Sequence, residues 1–239
     1  MRSSNFAIND KVFSEVYGSA SDSTMTIEGT VNKSAFLLLL VLTGASLTWA
    51  NPTSGFIFLG VIGGLITGFI TIFKKHLSMY TAPAYALFQG LFLGGLSAMF
   101  EASYPGIVIQ AVTLTFGTAG GLLIAYRSGM IPVTENFKLG VVAATGGIAI
   151  TYFIGWILSM FGLDLGFGLN GGLFGIIFNL FVVVIAALNL VLDFDFIEEA
   201  SKRNVPKYME WYASFGLMVT LIWLYIEFLK LIARFSKRD

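Results

Sequence analysis

Residues 171–195 read GGLFGIIFNLFVVVIAALNLVLDFD, and no charged side chain interrupts them before Asp193. A helix needs about 20 such residues to cross the hydrocarbon of a bilayer, so length and chemistry make this stretch a membrane span. Six other segments share its character, at about 34–50, 54–73, 82–101, 106–126, 138–161 and 211–234. A transmembrane strand would alternate apolar and polar residues over about 10 positions, and these runs do not alternate. The expected fold class is all-α: a polytopic membrane protein built as a seven-transmembrane-helix bundle.

Composition points the same way. Of 239 residues, 56% are apolar and 12% charged, and mean hydropathy is +0.81. Soluble domains carry roughly 25% charged residues. Fourteen basic and fourteen acidic side chains cancel to a net charge of zero, so nucleic acid would find no electrostatic hold. The absence of cysteine excludes thiolate metal sites, disulfides and thiol catalysis. A single histidine, His76, leaves no material for a histidine-rich zinc centre. The 27 glycines suit helices that approach closely in lipid. The expected partner is the lipid bilayer, and no cofactor is expected.

Residues 1–33 differ from the rest, being rich in Ser, Asn and Asp. They lack the apolar core and small-residue cleavage site of a signal peptide and read as a polar cytoplasmic N-terminal tail, with 34–239 as the seven-helix membrane domain. Asn51-Pro52 should turn the first span tightly into the second. The positive-inside rule then places Lys74, Lys75, Arg127, Lys138, Lys202, Arg203 and Lys207 beside the tail. The opposite connections, around Asn51–Thr53, Ser103–Pro105 and Gly162–Asn170, contain no Lys or Arg. Only Lys230, Arg234, Lys237 and Arg238 fall on the far side if the seventh segment crosses.

Ionisable groups inside apolar segments are costly and mark function. Asp193 and Asp195 end the sixth segment, Glu227 lies in the seventh, and Glu101 closes the third. Glu198, Glu199 and Glu210 follow in the sixth-to-seventh connection. The plain reading of Glu101, Glu198 and Glu199 is a helix end reaching headgroup water. At 100° per residue, Gly172, Gly175, Asn179, Ala186, Asn189 and Asp193 share one stripe of the sixth segment. Such a stripe fits a helix lining a hydrated path, or one packed closely with asparagine hydrogen bonds across the contact. Asp195 faces nearly the opposite way. Gly90, Gly94, Ser97 and Glu101 form a similar small-residue face, as do Gln110, Thr113, Gly117, Gly120 and Arg127; packing is their plain reading. Lys230, three residues after Glu227, offers it a local ion pair.

Several strings resemble the Bax inhibitor-1 family, the transmembrane Bax inhibitor motif proteins, in its bacterial YccA-like branch. They are Phe88-Gln89-Gly90-Leu91-Phe92-Leu93-Gly94, then Tyr104-Pro105-Gly106-Ile107-Val108-Ile109-Gln110-Ala111-Val112. Leu192-Asp193-Phe194-Asp195-Phe196-Ile197-Glu198, Glu210-Trp211-Tyr212 and Trp223-Leu224-Tyr225-Ile226-Glu227 continue the series, so the likeness covers about 34–234. The resemblance implies a multi-pass protein of the bacterial inner membrane, with seven helices and a cytoplasmic N-terminus. It also implies a proton-sensing pair of carboxylates on the sixth and seventh helices that closes a calcium leak. Two carboxylates in contact cannot both ionise readily, so they titrate as a unit, and the ionised pair attracts a hard cation.

The sixth-helix member carries over to Asp193, with Ile197 four residues on. For the seventh helix, the string Leu-Tyr-Ile-Glu nominates Glu227, whereas depth nominates Glu210. If the hairpin turns near Asn204–Pro206, Asp193 lies about 16 Å from the turn and Glu227 about 33 Å. Asp193 is then expected opposite Tyr212 to Gly216. The family's arginine after the second helix has no counterpart by string; Lys74, Lys75 and His76 stand there instead.

The resulting expectation is a pH-sensitive passive cation leak, with Ca²⁺ as permeant ion and Asp193, Asp195, Glu210 and Glu227 as its proton-sensing and ion-path residues. Asn179 and Asn189 would line it. The alternative is a non-channel membrane regulator that binds a membrane-protein partner such as a membrane protease, an activity the resemblance also implies. Catalysis is not expected, because no Ser-His or Ser-Lys dyad lies at useful depth and His76 stands alone at a loop.

Overall fold

A computed structural model describes residues 24–50, 54–163 and 172–237. The turn expected at Asn51-Pro52, most of the polar tail, and residues 164–170 of the Gly162–Asn170 connection lie outside the described residues. Within them the chain is all-α, with seven long helices. These are α1 (Ile27–Trp49), α2 (Ser54–Phe73), α3 (Ser78–Ser103), α4 (Ile107–Arg127), α5 (Glu135–Met160), α6 (Gly172–Lys202) and α7 (Met209–Ser236). A 3₁₀ turn, Lys75–Leu77, leads into α3. All seven are long and apolar enough to cross a membrane. Large apolar side chains such as Leu47, Phe58, Ile124 and Trp156 are exposed on them, as lipid-facing residues should be.

Local chemistry sets the ends. The Thr26 hydroxyl caps α1 by accepting the Gly29 N–H at 2.9 Å, and Glu28 sits in the first turn, where a carboxylate complements the helix dipole. Thr134 and Glu135 repeat the arrangement at α5. Helix α1 therefore begins at Ile27, seven residues before the apolar run suggested, and takes Thr30 and Lys33 out of the tail. At α6 the helix continues past Asp195 to Lys202. Its 31 residues measure about 46 Å, longer than hydrocarbon alone requires. Asn204 (φ 52°) then takes the left-handed conformation, and Val205-Pro206 leads into α7.

The chain divides into two compact units. One holds α1 to α3 with residues Asp193–Val219, the end of α6 and the start of α7. The other holds Tyr104–Leu192 and α7 from Thr220 onward. In the first unit α1 and α3 touch backbone to backbone. A Cβ on Gly44 would lie 2.6 Å from the Leu87 carbonyl oxygen and 3.0 Å from Gly90 Cα, so neither position admits a side chain without separating the helices. The Thr48 hydroxyl donates across this contact to the Leu91 carbonyl at 3.0 Å. Gly90, Gly94 and Ser97 are buried, as their shared face led us to expect. The α4 face differs. Gln110, Thr113, Gly117, Gly120 and Arg127 are exposed, and a Cβ on Gly117 or Gly120 would meet nothing within 4 Å. The second unit is centred on Ile148, Val182 and Ile185, with Tyr152, Phe178 and Trp223 packed against them.

Candidate functional site

Among the described residues three carboxylates are buried, namely Asp193, Glu210 and Glu227. All lie within helices of membrane-spanning character, where an ionised group is expensive unless paired or hydrated. The structure gives each a different setting.

Asp193 lies on α6 in the first unit and is 4% exposed. Its Oδ1 stands 3.8 Å from the position a Cβ would occupy on Gly216 of α7. The antiparallel reading placed Asp193 opposite Tyr212 to Gly216, and the structure agrees. The short hairpin leaves little freedom in register, and glycine supplies the room. One turn on, Ile197 belongs to a core of Met25, Phe196, Ala200, Val205, Met209, Tyr212 and Ala213. Asp195 is half-buried.

Glu210, fully buried at the start of α7, is engaged by the beginning of α1. Its Oε1 accepts from the Thr26 N–H and the Thr26 hydroxyl, each at 3.0 Å, and its Oε2 pairs with the Lys33 ammonium. Glu227, 1% exposed, belongs to the second unit. It accepts from Lys230 at 2.8 Å, from the Tyr152 hydroxyl at 3.2 Å to both oxygens, and from the Asn179 side-chain amide at 2.8 Å. The local ion pair with Lys230 is therefore present. The Lys230 ammonium also lies 5.0 Å from the centre of the Tyr152 ring. Both α7 carboxylates thus carry a lysine partner, from α1 in one case and from α7 itself in the other.

Around the hairpin Glu198 pairs with Lys202, and Glu199 with Arg203 at 2.7 Å. Both are ion pairs at the C-terminal end of α6. Glu101 is half-buried at the end of α3.

The two asparagines of the α6 stripe meet different neighbours. Asn179 donates to Glu227 on α7, whereas Asn189 donates to the Thr145 hydroxyl of α5 and the Ile185 carbonyl, both at 2.8 Å. Both therefore make interhelical hydrogen bonds, the second of the two readings the stripe allowed. No three His, Cys, Asp or Glu side chains converge as a metal-ligand set among the described residues.

A family model described as Bax inhibitor 1 like matches residues 5–237, nearly the whole chain. The chain belongs to the Bax inhibitor 1 like family. With its seven apolar helices it is a multi-pass membrane protein. No curated protein and no solved structure gives a significant match.

For this member of the Bax inhibitor 1 like family, the sequence had singled out all three buried carboxylates, Asp193, Glu210 and Glu227. Sequence reasoning missed Thr26, Gly29, Lys33 and Tyr152. Thr26 carried a usable signal, because a threonine just before an acidic first turn is a helix-start signature. Tyr152 carried none, since one tyrosine in an apolar segment looks like any other.

Proposed function

We propose that the chain is a pH-sensitive passive cation leak, with Ca²⁺ as the permeant ion and Asp193 as the carboxylate that gates it. The observation carrying this reading is a carboxylate buried in a membrane-spanning helix with a glycine of the next helix beside it. A carboxyl group alternates between a neutral acid and an anion as pH changes. Only the anion draws a hard cation toward oxygen ligands. Asp195, two residues further, adds negative charge at the same end of α6. Membership of the Bax inhibitor 1 like family supports the assignment. The asymmetric distribution of Lys and Arg supports a cytoplasmic N-terminal segment, and the YccA-like resemblance supports a bacterial inner membrane. No catalytic step is assigned.

The test is Ca²⁺ efflux from liposomes containing the purified protein, measured across a pH series. Wild-type protein should pass Ca²⁺ with a pH-dependent rate, and Asp193→Asn should flatten that dependence. A variant with unchanged flux and unchanged pH profile would remove Asp193 from the mechanism. Wild-type protein that passes no Ca²⁺ would instead favour a non-channel regulator acting on another membrane protein.

A further inference from the structure

The start of α1 grips the α6–α7 hairpin through one buried carboxylate. Thr26 presents both its N–H and its hydroxyl to Glu210, and Lys33 presents its ammonium. Gly29 allows the approach: a Cβ there would lie 2.6 Å from Glu210 Oε2. The main chain joins in, with the Met25 N–H donating to the Val205 carbonyl at 2.8 Å and Thr24 bridging Pro206 in antiparallel fashion. One turn further, the Ser214 hydroxyl donates to the Thr30 carbonyl at 2.9 Å. Met25 is buried in the hairpin's own core. The strap of residues 24–33 therefore lies along residues 205–214, and the same helix carries Gly216 against Asp193.

Glu210 and Gly216 are six residues apart on a continuous helix, about 9 Å. A shift of α7 that changed the surroundings of Asp193 would carry Glu210 with it and would have to break the strap's contacts. The strap's donors also sit at the accessible edge. Thr26 is exposed and the Lys33 side chain is 18% exposed, while Glu210 is 0% exposed. We propose that Thr26 and Lys33 are positioning residues that act through Glu210 as a latch, holding α7 against Asp193 and keeping the leak closed until the strap lifts. This rests on the reading of Asp193 as the gate, and it makes Glu210 a latch residue rather than part of the ion path.

The test uses the full chain, which has no native cysteine. Spin labels on Glu28→Cys and Lys207→Cys, both exposed positions, report the seating of the strap, and liposome Ca²⁺ efflux reports the gate. Lys33→Glu should lengthen and broaden the label distance and raise efflux roughly fivefold or more. Lys33→Arg, which keeps a cation beside Glu210 and leaves the Thr26 donors their acceptor, should hold both readouts within about twofold of wild type. Thr24→Cys/Pro206→Cys joins the two bridge partners, whose expected Cα separation of about 4.5–5.5 Å suits a disulfide. Oxidised in the Lys33→Glu background, it should suppress the extra efflux, and reduction should release it. If Lys33→Glu is not recovered folded, Thr26→Val removes one donor and should move both readouts the same way by less. Lengthened distances with wild-type efflux would make the strap purely structural and overturn the latch alone. So would distances that Lys33→Glu leaves unchanged. Wild-type protein without flux would overturn the leak reading, and the latch's gating role with it.

Discussion

Glu210 and Glu227 occupy one helix, are equally buried, and each binds a lysine, yet they are held in opposite ways. Lys33 comes from 177 residues away and Lys230 from three. Glu227 and Lys230 stay neighbours wherever α7 is helical. Glu210 and Lys33 meet only when α1 lies on the hairpin. The other donors follow the same division. Thr26 contributes backbone and hydroxyl from the helix start that carries Lys33, whereas Glu227 is completed by single groups from two further helices, Tyr152 of α5 and Asn179 of α6. A local pair stabilises a helix; a distant pair stabilises an arrangement of helices. Of the two, the distant pair can register movement.

That difference can be broken by mutation. The largest effect should follow Lys33→Met, which leaves a fully buried carboxylate without its cation and loosens the start of α1 on the hairpin. Removing one member of a buried pair costs about 3 kcal/mol or more, which thermal unfolding in detergent would show as a clear loss. Tyr152→Phe should cost less, about 1.5 kcal/mol, because a hydrogen bond to a charged group is lost while Asn179 and Lys230 remain. Lys230→Met should cost about as much as Tyr152→Phe, about 1.5 kcal/mol, because Glu227 is as buried as Glu210 but keeps Tyr152 and Asn179 as donors. The Lys230 side chain is 32% exposed, and it pairs within a single helix. Equal losses from Lys33→Met and Lys230→Met would erase the contrast between distant and local pairing.

The seven spans were legible because hydropathy is a property of consecutive residues. Their ends were less so. Helices α1 and α6 extend past the hydrocarbon-like runs into polar sequence, which reads as tail or loop until the partner of each polar group is known. Glu227–Lys230 could be read directly, being three residues apart on a helix. The level of Asp193 against Gly216 followed from counting residues back from the turn near Asn204, since short hairpins constrain register. The Glu210 contacts could not be found this way, because Thr26 and Lys33 are remote in sequence and nothing in their own neighbourhood names a carboxylate. The α6 stripe was correctly seen as polar. It meets two neighbouring helices rather than one, and helical angles alone do not say where those neighbours stand.

The Lys33 ammonium lies 5.4 Å from the centre of the Trp211 ring, and Phe36 meets that ring edge-on at 6.0 Å. Indole emission responds to a charge over its face and to water reaching its edge. The seating of α1 on the hairpin thus has an optical counterpart within the native chain. With Trp49, Trp156 and Trp223 as the other three emitters, Trp211 is the one whose colour belongs to the Lys33–Glu210 contact.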